Sequence, residues 1–576
     1  MPFEICAKRQ AVIDAEGHVL VLGGPGAGKT TLALLKAKPV LATLKPGQKV
    51  LFLSFSRAAV QQILARCREV LTRDERKLID VRTYHAFCWD LLNSHGRALR
   101  GTPLRMIAPG EEGRARTRFA GEWDGERRRL LDDESNVCFD LFAHASAQLI
   151  EESARLRAWI ADLFPLIILD EFQDTDDDQW RLTRSLASAT TAAFLADADQ
   201  RIYDFRPGVR PERLDLLREA FNPAVTDLEE DNHRSGDSQI VAYANAVLRG
   251  EGPLPLTNDV VTRNYRRFNN SFNSTVHFCV RKAFADLRQR GVKDPTVAVL
   301  ALSNDLVADI SDMLTRTHNF GGTVLHPVEH DVAWDAELSA TAAIAVAATL
   351  EYVSAPSVDR KRVMLLRVSD YWLLKQDWCQ QRGGRGADAA EKRTARFFVS
   401  AERLRNGQAL SRGICQQLCA AADTIGKLTG DAVADWVTVR ALFSTHGDLR
   451  ELFSQVRMVR LFRATDALAA GLGSIWIDRM TYVGAVQSVR RVLDQERLIG
   501  AERQPKGCML MTLHKSKGKE FDGVVIVEGF RGDALLRSDE APDYECSRRL
   551  LRVAITRARK LVVIVRPQGA QPLLDS

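Results

Sequence analysis

Gly23-Gly24-Pro25-Gly26-Ala27-Gly28-Lys29-Thr30 is the stretch that decides how this chain folds. It matches the phosphate-binding pattern G-x-x-x-x-G-K-[ST]. An apolar run at residues 18–22 precedes it, and a helix-favouring run at residues 31–35 follows it. Glycines let backbone N–H groups converge on an anion, and the positive end of the helix dipole lies beneath that anion. The sequence therefore predicts a strand, a phosphate-binding loop and a helix in this order.

The side chains at the end of this loop indicate a nucleoside triphosphate with a metal ion. Lys29 would reach the β- and γ-phosphates, and the Thr30 hydroxyl would ligate Mg²⁺. The predicted nucleotide contacts in the loop are Gly23, Gly24, Pro25, Gly26, Ala27, Gly28, Lys29, Thr30 and Thr31.

Asp170-Glu171-Phe172-Gln173-Asp174-Thr175 is the second informative stretch, and it follows an apolar run at residues 166–169. Ligands of open α/β sheets bind at the carboxyl ends of the strands, where these acids would lie. We expect Asp170 to hold Mg²⁺ and Glu171 to orient or deprotonate the attacking water. A lone glycine loop can be a chance match, and a lone Asp-Glu pair is usually a solvated turn. Together, in this order, they predict hydrolysis of a nucleoside triphosphate.

The composition is that of a chain with several domains and large cores. The 576 residues are 45% hydrophobic, and no run approaches the ~18 apolar residues of a membrane span. The amino terminus lacks the pattern of a secretory signal, and the ten cysteines have no paired spacing, so we expect a reducing cytoplasm. Cys415 and Cys419 fit a helical core better than a metal site. The net charge of +6 permits nucleic-acid binding.

Apolar runs divide the chain into two α/β cores, each interrupted by a mainly helical insertion. Strands are expected near residues 19–22, 50–55, 166–169, 193–196, 296–302, 508–512, 524–527 and 561–565. The first core would comprise residues 1–90 and 164–227, with its insertion at 91–163. The second core would comprise residues 228–330 and 501–576, with its insertion at 331–500.

Further motifs follow the same order along the chain as those of a known family. They are Lys8–Val12, Ser54–Ala59, Arg82–Phe87, Ala196–Arg206, Asp231–Ser235, Thr512–Phe521 and Arg549–Ala558. With the two stretches above, they resemble the motifs of the UvrD/Rep/PcrA group of superfamily 1A DNA helicases. The resemblance covers both expected cores and is weak across the insertions. It implies two RecA-like parallel-sheet cores, 1A and 2A, with insertions 1B and 2B.

The resemblance implies a set of residues around ATP. Gln10 would read the adenine edge, Gln200 would sense the γ-phosphate, and Arg557 would be an arginine finger from the second core. Three more would contact the nucleotide: Arg234 near the γ-phosphate, Glu520 near the ribose, and His233 where the family has a tyrosine that stacks on adenine. An arginine finger is worth ~10³–10⁵ in rate, so hydrolysis would depend on closure of a cleft between the cores.

The resemblance also implies a path for single-stranded DNA. Its residues would be Phe55, Ser56, Thr83, Tyr84, His85, Tyr203, Phe205, Arg206, Thr512 and His514. Aromatic side chains stack on bases with little dependence on sequence, which suits a motor on single strands. Besides His233, three sites depart from the family pattern: Phe205 replaces a tryptophan, Pro207-Gly208 replaces Gly-Ala, and Arg552 stands where an aromatic residue is common.

These observations predict an ATP- and Mg²⁺-dependent DNA motor. The resemblance implies movement 3′→5′ on single-stranded DNA and unwinding of 3′-tailed duplex DNA. The alternative is a DNA-sensing regulatory ATPase subunit, similar to the helicase-like partner in Gabija-type antiphage systems, beside a separate nuclease subunit. The short first insertion favours that alternative. An inactive nucleotide-binding scaffold conflicts with the presence of Lys29, Asp170, Glu171, Gln200, Arg234 and Arg557.

Overall fold

The computed structural model describes most of the chain. The described residues are 5–107, 112, 115–116, 119, 121–202, 208–228, 239–252, 258–266, 271–333, 336–380, 386–444, 447–457, 465–499, 506–529 and 533–574. They form two compact units, one of residues 1–106, 128–333 and 501–576, the other of residues 107–127 and 334–500. Among the described helices, none is long and apolar enough to cross a membrane.

Sixteen described strands are numbered along the chain. They are β1 (Val19–Leu22), β2 (Val50–Ser54), β3 (Ile79–Thr83), β4 (Arg105–Ile107), β5 (Asn136–Cys138), β6 (Leu166–Leu169), β7 (Thr191–Ala196), β8 (Ala224–Asp227), β9 (Val260–Tyr265), β10 (Val297–Ala301), β11 (His318–Phe320), β12 (Thr323–Leu325), β13 (His330–Val332), β14 (Cys508–Thr512), β15 (Phe521–Val527) and β16 (Ala558–Pro567). The eight predicted strands are confirmed as β1, β2, β6, β7, β10, β14, β15 and β16.

Helices occupy most of the remaining described residues. They are α1 (Ala7–Asp14), α2 (Lys29–Thr43), α3 (Arg57–Val70), α4 (Arg73–Lys77), α5 (Tyr84–Arg100), α6 (Trp123–Glu134), α7 (Phe142–Glu152), α8 (Ala154–Leu163), α9 (Asp177–Ala187), α10 (Arg213–Phe221), α11 (Ile240–Arg249), α12 (Ser271–Gln289), α13 (Asn304–Leu314), α14 (Ala336–Ser354), α15 (Val358–Gln380), α16 (Ala387–Arg405), α17 (Ile414–Asp423), α18 (Ala432–Ala441), α19 (Arg450–Arg457), α20 (Thr465–Arg479), α21 (Ala485–Ile499) and α22 (Glu545–Ile555).

The larger unit contains two six-stranded sheets, which define two lobes. The first lobe is residues 5–106 and 128–228, with strand order β3-β2-β6-β7-β1-β8. The second lobe is residues 239–333 and 506–574, with strand order β13-β14-β10-β15-β16-β9. All the described pairings in both sheets are parallel. The predicted α/β fold with parallel sheets is therefore confirmed.

Strand order in the first lobe explains where its functional residues lie. In the register of the sheet, Leu22 of β1 pairs with Ala196 of β7, and β7 pairs in turn with β6. The glycine loop, the Asp-Glu pair and Asp197 each follow one of these three adjacent strands. Because carboxyl ends of parallel strands meet at one edge of a sheet, three distant segments converge there.

The predicted insertion at residues 91–163 does not form a unit of its own. Helix α5 runs without a break from Tyr84 to Arg100, across the predicted boundary at 90. Helices α7 and α8 bury Leu149, Ile150 and Ile160 in the apolar core of the first lobe. Only residues 107–127 belong to the smaller unit. The predicted boundary rested on the charged, helical character of this segment, whereas its apolar residues pack into the core of the first lobe.

The smaller unit is helical, as predicted for residues 331–500. Helix α14 is alanine-rich and lies among other helices, with Ala342, Ala345 and Ala347 fully buried. Small side chains allow helices to pack closely on every face of α14. Cys415 and Cys419 are buried in this core, as the sequence predicted. Arg116 pairs with Asp377 at 2.8 Å, which joins the 107–127 segment to α15.

Candidate nucleotide and DNA site

The glycine loop has the geometry that a phosphate cradle needs. It lies between β1 and α2, and Gly26 and Gly28 have φ values of 84° and 83°, which side chains with a Cβ rarely adopt. A Cβ on Gly23 would lie 3.0 Å from the Cβ of Ala27, so a larger residue would disturb the loop. Lys29 Nζ donates to the carbonyl of Gly23 at 2.5 Å. This cation lies across the loop, within the space that phosphates would share.

The two carboxylates at the end of β6 have different electrostatic environments. Burial and the adjacent Glu171 charge raise the pKa of Asp170 to about 7. Burial opposes ionisation of Glu171 as well, but Lys517 and Lys29 outweigh it and lower the pKa of Glu171. Glu171 is therefore a carboxylate at neutral pH, as a group that orients water requires. Its φ of 53° is unusual for a residue with a Cβ, and such strain is often found at functional sites.

Two cations of the second lobe reach into the same site. Lys517 donates to Asp174 and, at 2.6 Å, to the carbonyl of Gln200, and its Nζ lies 3.6 Å from Glu171 Oε2. Arg557 Nη2 donates to Gln200 Oε1 at 3.0 Å, and Arg557 is only 3% exposed. The Arg557 charge also helps to lower the pKa of Glu171. Five predicted site residues thus lie together: Lys29, Asp170, Glu171, Gln200 and Arg557.

The residues at this site fit a magnesium ion bound together with a nucleotide. Asp170 is a carboxylate that burial and a like charge disfavour, so a cation there would relieve both costs. Thr30 lies in the first turn of α2, after the glycine loop. No three His, Cys, Asp or Glu side chains cluster as metal ligands within the described residues. Mg²⁺ usually takes one or two carboxylates, with phosphates and water completing its shell.

Other predicted nucleotide residues lie in less distinctive surroundings. Gln10 is exposed and donates to Asp14 Oδ1 at 2.8 Å. Glu520 accepts from Arg559 Nη2 at 3.1 Å. Thr31 lies in the first turn of α2. The roles of Gln10 and Glu520 toward adenine and ribose stay predictions.

The described aromatic residues predicted on the DNA path are half-buried or buried. Phe55 is half-buried, and its ring packs on that of Tyr84 with centroids 4.9 Å apart. Tyr84 is 1% exposed, so its assignment as a DNA contact is corrected. Its ring lies in the first-lobe core, where α5 packs against α7, and it contacts the ring of Phe55. His85 stacks on Phe139 with centroids 4.2 Å apart.

The polar residues predicted on the DNA path lie at element ends. Ser56 and Thr83 accept from backbone N–H groups that begin α3 and α5. Thr512 ends β14 and is 7% exposed, and His514 begins the turn that follows. A Cβ on Gly518 would lie 3.5 Å from Ser56 Oγ, so predicted DNA segments from the two lobes are adjacent.

Five predicted site residues lie outside the described part of the chain. They are Tyr203, Phe205, Arg206, His233 and Arg234. Their roles stay predictions.

Several polar residues at the site were not assigned a role from the sequence. Gln173 donates to Glu171 Oε2 at 2.6 Å, and Asp197 accepts from Gln200 Nε2 at 2.6 Å. Asp174 and Lys517 form the buried ion pair between the lobes. All four stand within motifs that the sequence had singled out. Their residue types and their positions within the motifs mark them as candidates in the sequence. The sequence does not show which residues pair when the partners are hundreds of positions apart.

Comparison with known proteins gives two family matches. A model of the UvrD/REP helicase N-terminal domain matches residues 6–114 and 102–221, and a model of the UvrD-like helicase C-terminal domain matches residues 507–565. These segments hold the glycine loop, the Asp-Glu pair and most of the second-lobe motifs.

Curated relatives match about two fifths of the chain. The ATP-dependent DNA helicase PcrA of Leuconostoc citreum is 23% identical over 288 residues, which cover 42% of this chain and 38% of PcrA. The ATP-dependent DNA helicase Rep of Escherichia coli K12 is 25% identical over 288 residues, 42% of each chain. The putative ATP-dependent DNA helicase YjcD of Bacillus subtilis is 26% identical over 286 residues, 42% of this chain and 37% of YjcD. The matches thus span about two fifths of the length of these relatives.

Proposed function

This chain belongs to the UvrD-like helicases of superfamily 1, and from that premise we propose that it is an ATP-dependent DNA motor. In this proposal, the two lobes are RecA-like cores that hydrolyse MgATP in the cleft between them. Single-stranded DNA runs across both lobes. Each cycle of closure and opening moves one DNA contact relative to the other.

The observation that carries the proposal is the contact of Arg557 with Gln200. It joins a residue just after the second-lobe helix α22 to the first lobe beside Glu171. Hydrolysis of the γ-phosphate needs charge neutralised on its oxygens and a positioned water. The charge would be neutralised by Arg557, by Lys29 and by Mg²⁺ held at Asp170 and Thr30. The water would be positioned by Glu171. Because the charges come from different lobes, turnover would require closure.

DNA would couple to this cycle through both lobes. The half-buried ring of Phe55 belongs to the first lobe, and His514 belongs to the second. The adjacency of Ser56 and Gly518 supports a path that crosses from one to the other. Movement 3′→5′ and unwinding of 3′-tailed duplexes are proposed from the family resemblance.

The ATPase test compares wild type with Glu171→Gln. We expect hydrolysis that single-stranded DNA stimulates in the wild type, and a loss of about 10²-fold or more in the variant, since the group that orients water is gone. Glu545→Gln, on the outer side of α22, is the matched control and should keep wild-type turnover. Equal rates for Glu171→Gln and wild type would contradict the assigned chemistry.

Strand displacement tests the proposed direction. Duplexes with a 3′ tail, a 5′ tail or blunt ends are offered with MgATP. Unwinding of the 3′-tailed duplex alone is expected. Preference for the 5′-tailed duplex would reverse the proposed polarity.

A regulatory ATPase beside a separate nuclease stays the alternative. The relatives compared here carry helicase names, so the motor is the function we propose. DNA-stimulated ATPase without strand displacement, together with co-purification of a nuclease, would favour the alternative.

A further inference from the structure

We propose that Arg552 is a positioning residue that fixes the amide of Gln200 against the arginine finger by pairing with Asp197 across the lobes. The inference deepens the proposed function and rests on it. Arg552 is also the position at which the chain departs from the aromatic residue common in the family it resembles. The departure places a positive charge where the resemblance implies none.

Arg552 is buried and faces the first lobe. It is 4% exposed and lies in the last turn of α22. Its Nη1 lies 3.5 Å from each carboxylate oxygen of Asp197, and its Nη2 lies 3.7 Å from Asp199 Oδ2. Asn245 of α11 accepts from its Nε at 3.0 Å, which fixes the plane of the guanidinium from within the second lobe. The side chain is therefore held and aimed before it meets the first lobe.

Asp197 needs that charge because it is itself buried at 6% exposure. A buried carboxylate without a nearby cation is strongly disfavoured. The hydrogen bonds of Asp197 within the first lobe come from the Gln200 amide at 2.6 Å and the Asp199 backbone N–H at 3.0 Å. Neither donor carries a positive charge. Arg552 supplies the cation, and it does so from the other lobe.

The charge of Asp197 determines how the Gln200 amide is oriented. Gln200 Nε2 donates to Asp197 Oδ2, so Gln200 Oε1 faces Arg557 Nη2 at 3.0 Å. A flipped amide would place an oxygen against a carboxylate and an N–H group against a guanidinium. Both contacts would be repulsive. Arg552 thus keeps the γ-phosphate sensor and the finger in register without contacting either.

The same aspartate is also connected to the catalytic carboxylate. The backbone N–H of Asp197 donates to Gln173 Oε1 at 3.1 Å, and Gln173 Nε2 donates to Glu171 Oε2 at 2.6 Å. A shift of Asp197 would therefore disturb Glu171 and Gln200 together. The expected consequence is a loss of turnover rather than of nucleotide affinity.

Steady-state ATPase with saturating single-stranded DNA tests the inference. Arg552→Gln should lower kcat by about 2- to 160-fold, the range for coupled neighbours, while the KM for ATP changes less than about threefold. Arg552→Lys, which keeps the charge, should recover most of the turnover. Asn245→Ala keeps the Arg552 charge but removes the hydrogen bond that fixes the plane of its guanidinium, and it should lower kcat by less than Arg552→Gln does. Glu545→Gln, an exposed residue in the first turn of the same helix, is the control for the helix.

A double-mutant cycle separates positioning from general damage. With Asn at position 197 there is no charge to offset, so Arg552→Gln in the Asp197→Asn background should cost little further. Additive losses, or wild-type kcat in Arg552→Gln, would overturn the inference. Denaturant unfolding of the same four proteins measures the pair without ATPase: non-additivity supports it, and additivity refutes it. A wild type without DNA-stimulated ATPase would refute the proposed function, and the unfolding cycle would still decide the Arg552–Asp197 pair.

Discussion

The first lobe contributes the carboxylates of one site together with the cation Lys29, whereas the second lobe contributes cations alone. The first lobe supplies carboxylates at Asp170, Glu171 and Asp174, which follow the central strand β6. The second lobe supplies Lys517 and Arg557, which lie in a turn after β14 and just after α22. Each set alone would be a cluster of like charge in a buried place. The contact between the lobes is therefore itself part of the proposed catalytic site.

The lobes also differ in how their residues are held. In the first lobe, glycines with positive φ and the strained Glu171 shape a rigid edge of the sheet. In the second lobe, long side chains reach outward from regular elements, and Arg557 is steadied by donating from Nε to the Val553 carbonyl at 2.9 Å. The carboxylates are held rigidly, and the cations stand on long side chains of the other lobe. A small movement of one lobe would therefore change the distances between these charges.

Removal of the arginine finger Arg557 should have the largest effect on ATP hydrolysis. Arg557→Ala should lower DNA-stimulated ATPase by about 10³–10⁵-fold, since the second lobe then contributes no arginine finger to the transition state. The initial rate of phosphate release measures this. Arg537→Ala changes an exposed arginine of the same lobe and should keep wild-type turnover. A loss below about tenfold in Arg557→Ala would mean that the finger is another residue.

Removing the Lys517 charge should show how much free energy a buried, unpaired carboxylate costs the folded protein. Lys517→Met leaves Asp174 buried without its cation, and the free energy of unfolding should fall by about 3–5 kcal/mol. Urea unfolding followed by circular dichroism measures this. The double variant Lys517→Met, Asp174→Asn removes both charges and should recover most of the stability. Equal stability of the single variant and wild type would contradict a desolvated pair.

Removing Phe55 should separate DNA binding from nucleotide binding within the first lobe. Phe55→Ala should weaken single-stranded DNA binding by about 1–3 kcal/mol, the range for one stacked base. Fluorescence anisotropy with a labelled oligonucleotide measures the Kd. Trp159→Ala changes an exposed aromatic residue of the same lobe and should leave the Kd unchanged. Equal losses in the two variants would place the DNA elsewhere.

Lowering the pH should protonate Asp170 before Glu171, because the pKa of Asp170 is raised and that of Glu171 is lowered. Because the pKa of Asp170 is raised to about 7, a proton competes with Mg²⁺ below that pH. The Mg²⁺ concentration for half-maximal binding of a non-hydrolysable ATP analogue should rise about tenfold per pH unit below about 7. Asp170→Asn should bind the metal complex weakly at every pH. If the Mg²⁺ concentration needed by the wild type did not change with pH, the assignment of Asp170 as the Mg²⁺ ligand would be contradicted.

The same shift has a defined effect on stability. The folded chain holds the Asp170 proton more tightly than the unfolded chain, whose carboxyl titrates near ~3.9. Metal-free wild type should therefore lose stability relative to Asp170→Asn as the pH rises from about 4 to about 7. An opposite slope would mean that Asp170 is not desolvated.

The interior of the fold could be predicted from the sequence, and its edges could not. The eight central strands of the two sheets were all predicted, because strands covered on both faces and both sides are continuous apolar runs. The four strands at the sheet edges, β3, β8, β9 and β13, were missed. Edge strands such as Ala224–Asp227 are largely exposed and carry polar residues, so they lack that signal.

The sequence by itself determined the glycine loop, the acid pair and the order of motifs, because local backbone geometry and phosphate chemistry restrict which residues can stand there. It did not determine that Tyr84 is buried, that residues 107–127 leave the first lobe, or that Arg552 faces Asp197. Those facts depend on which surfaces meet when segments hundreds of residues apart pack together. Burial and pairing of charge arise only from that packing, and the tertiary structure alone decided them.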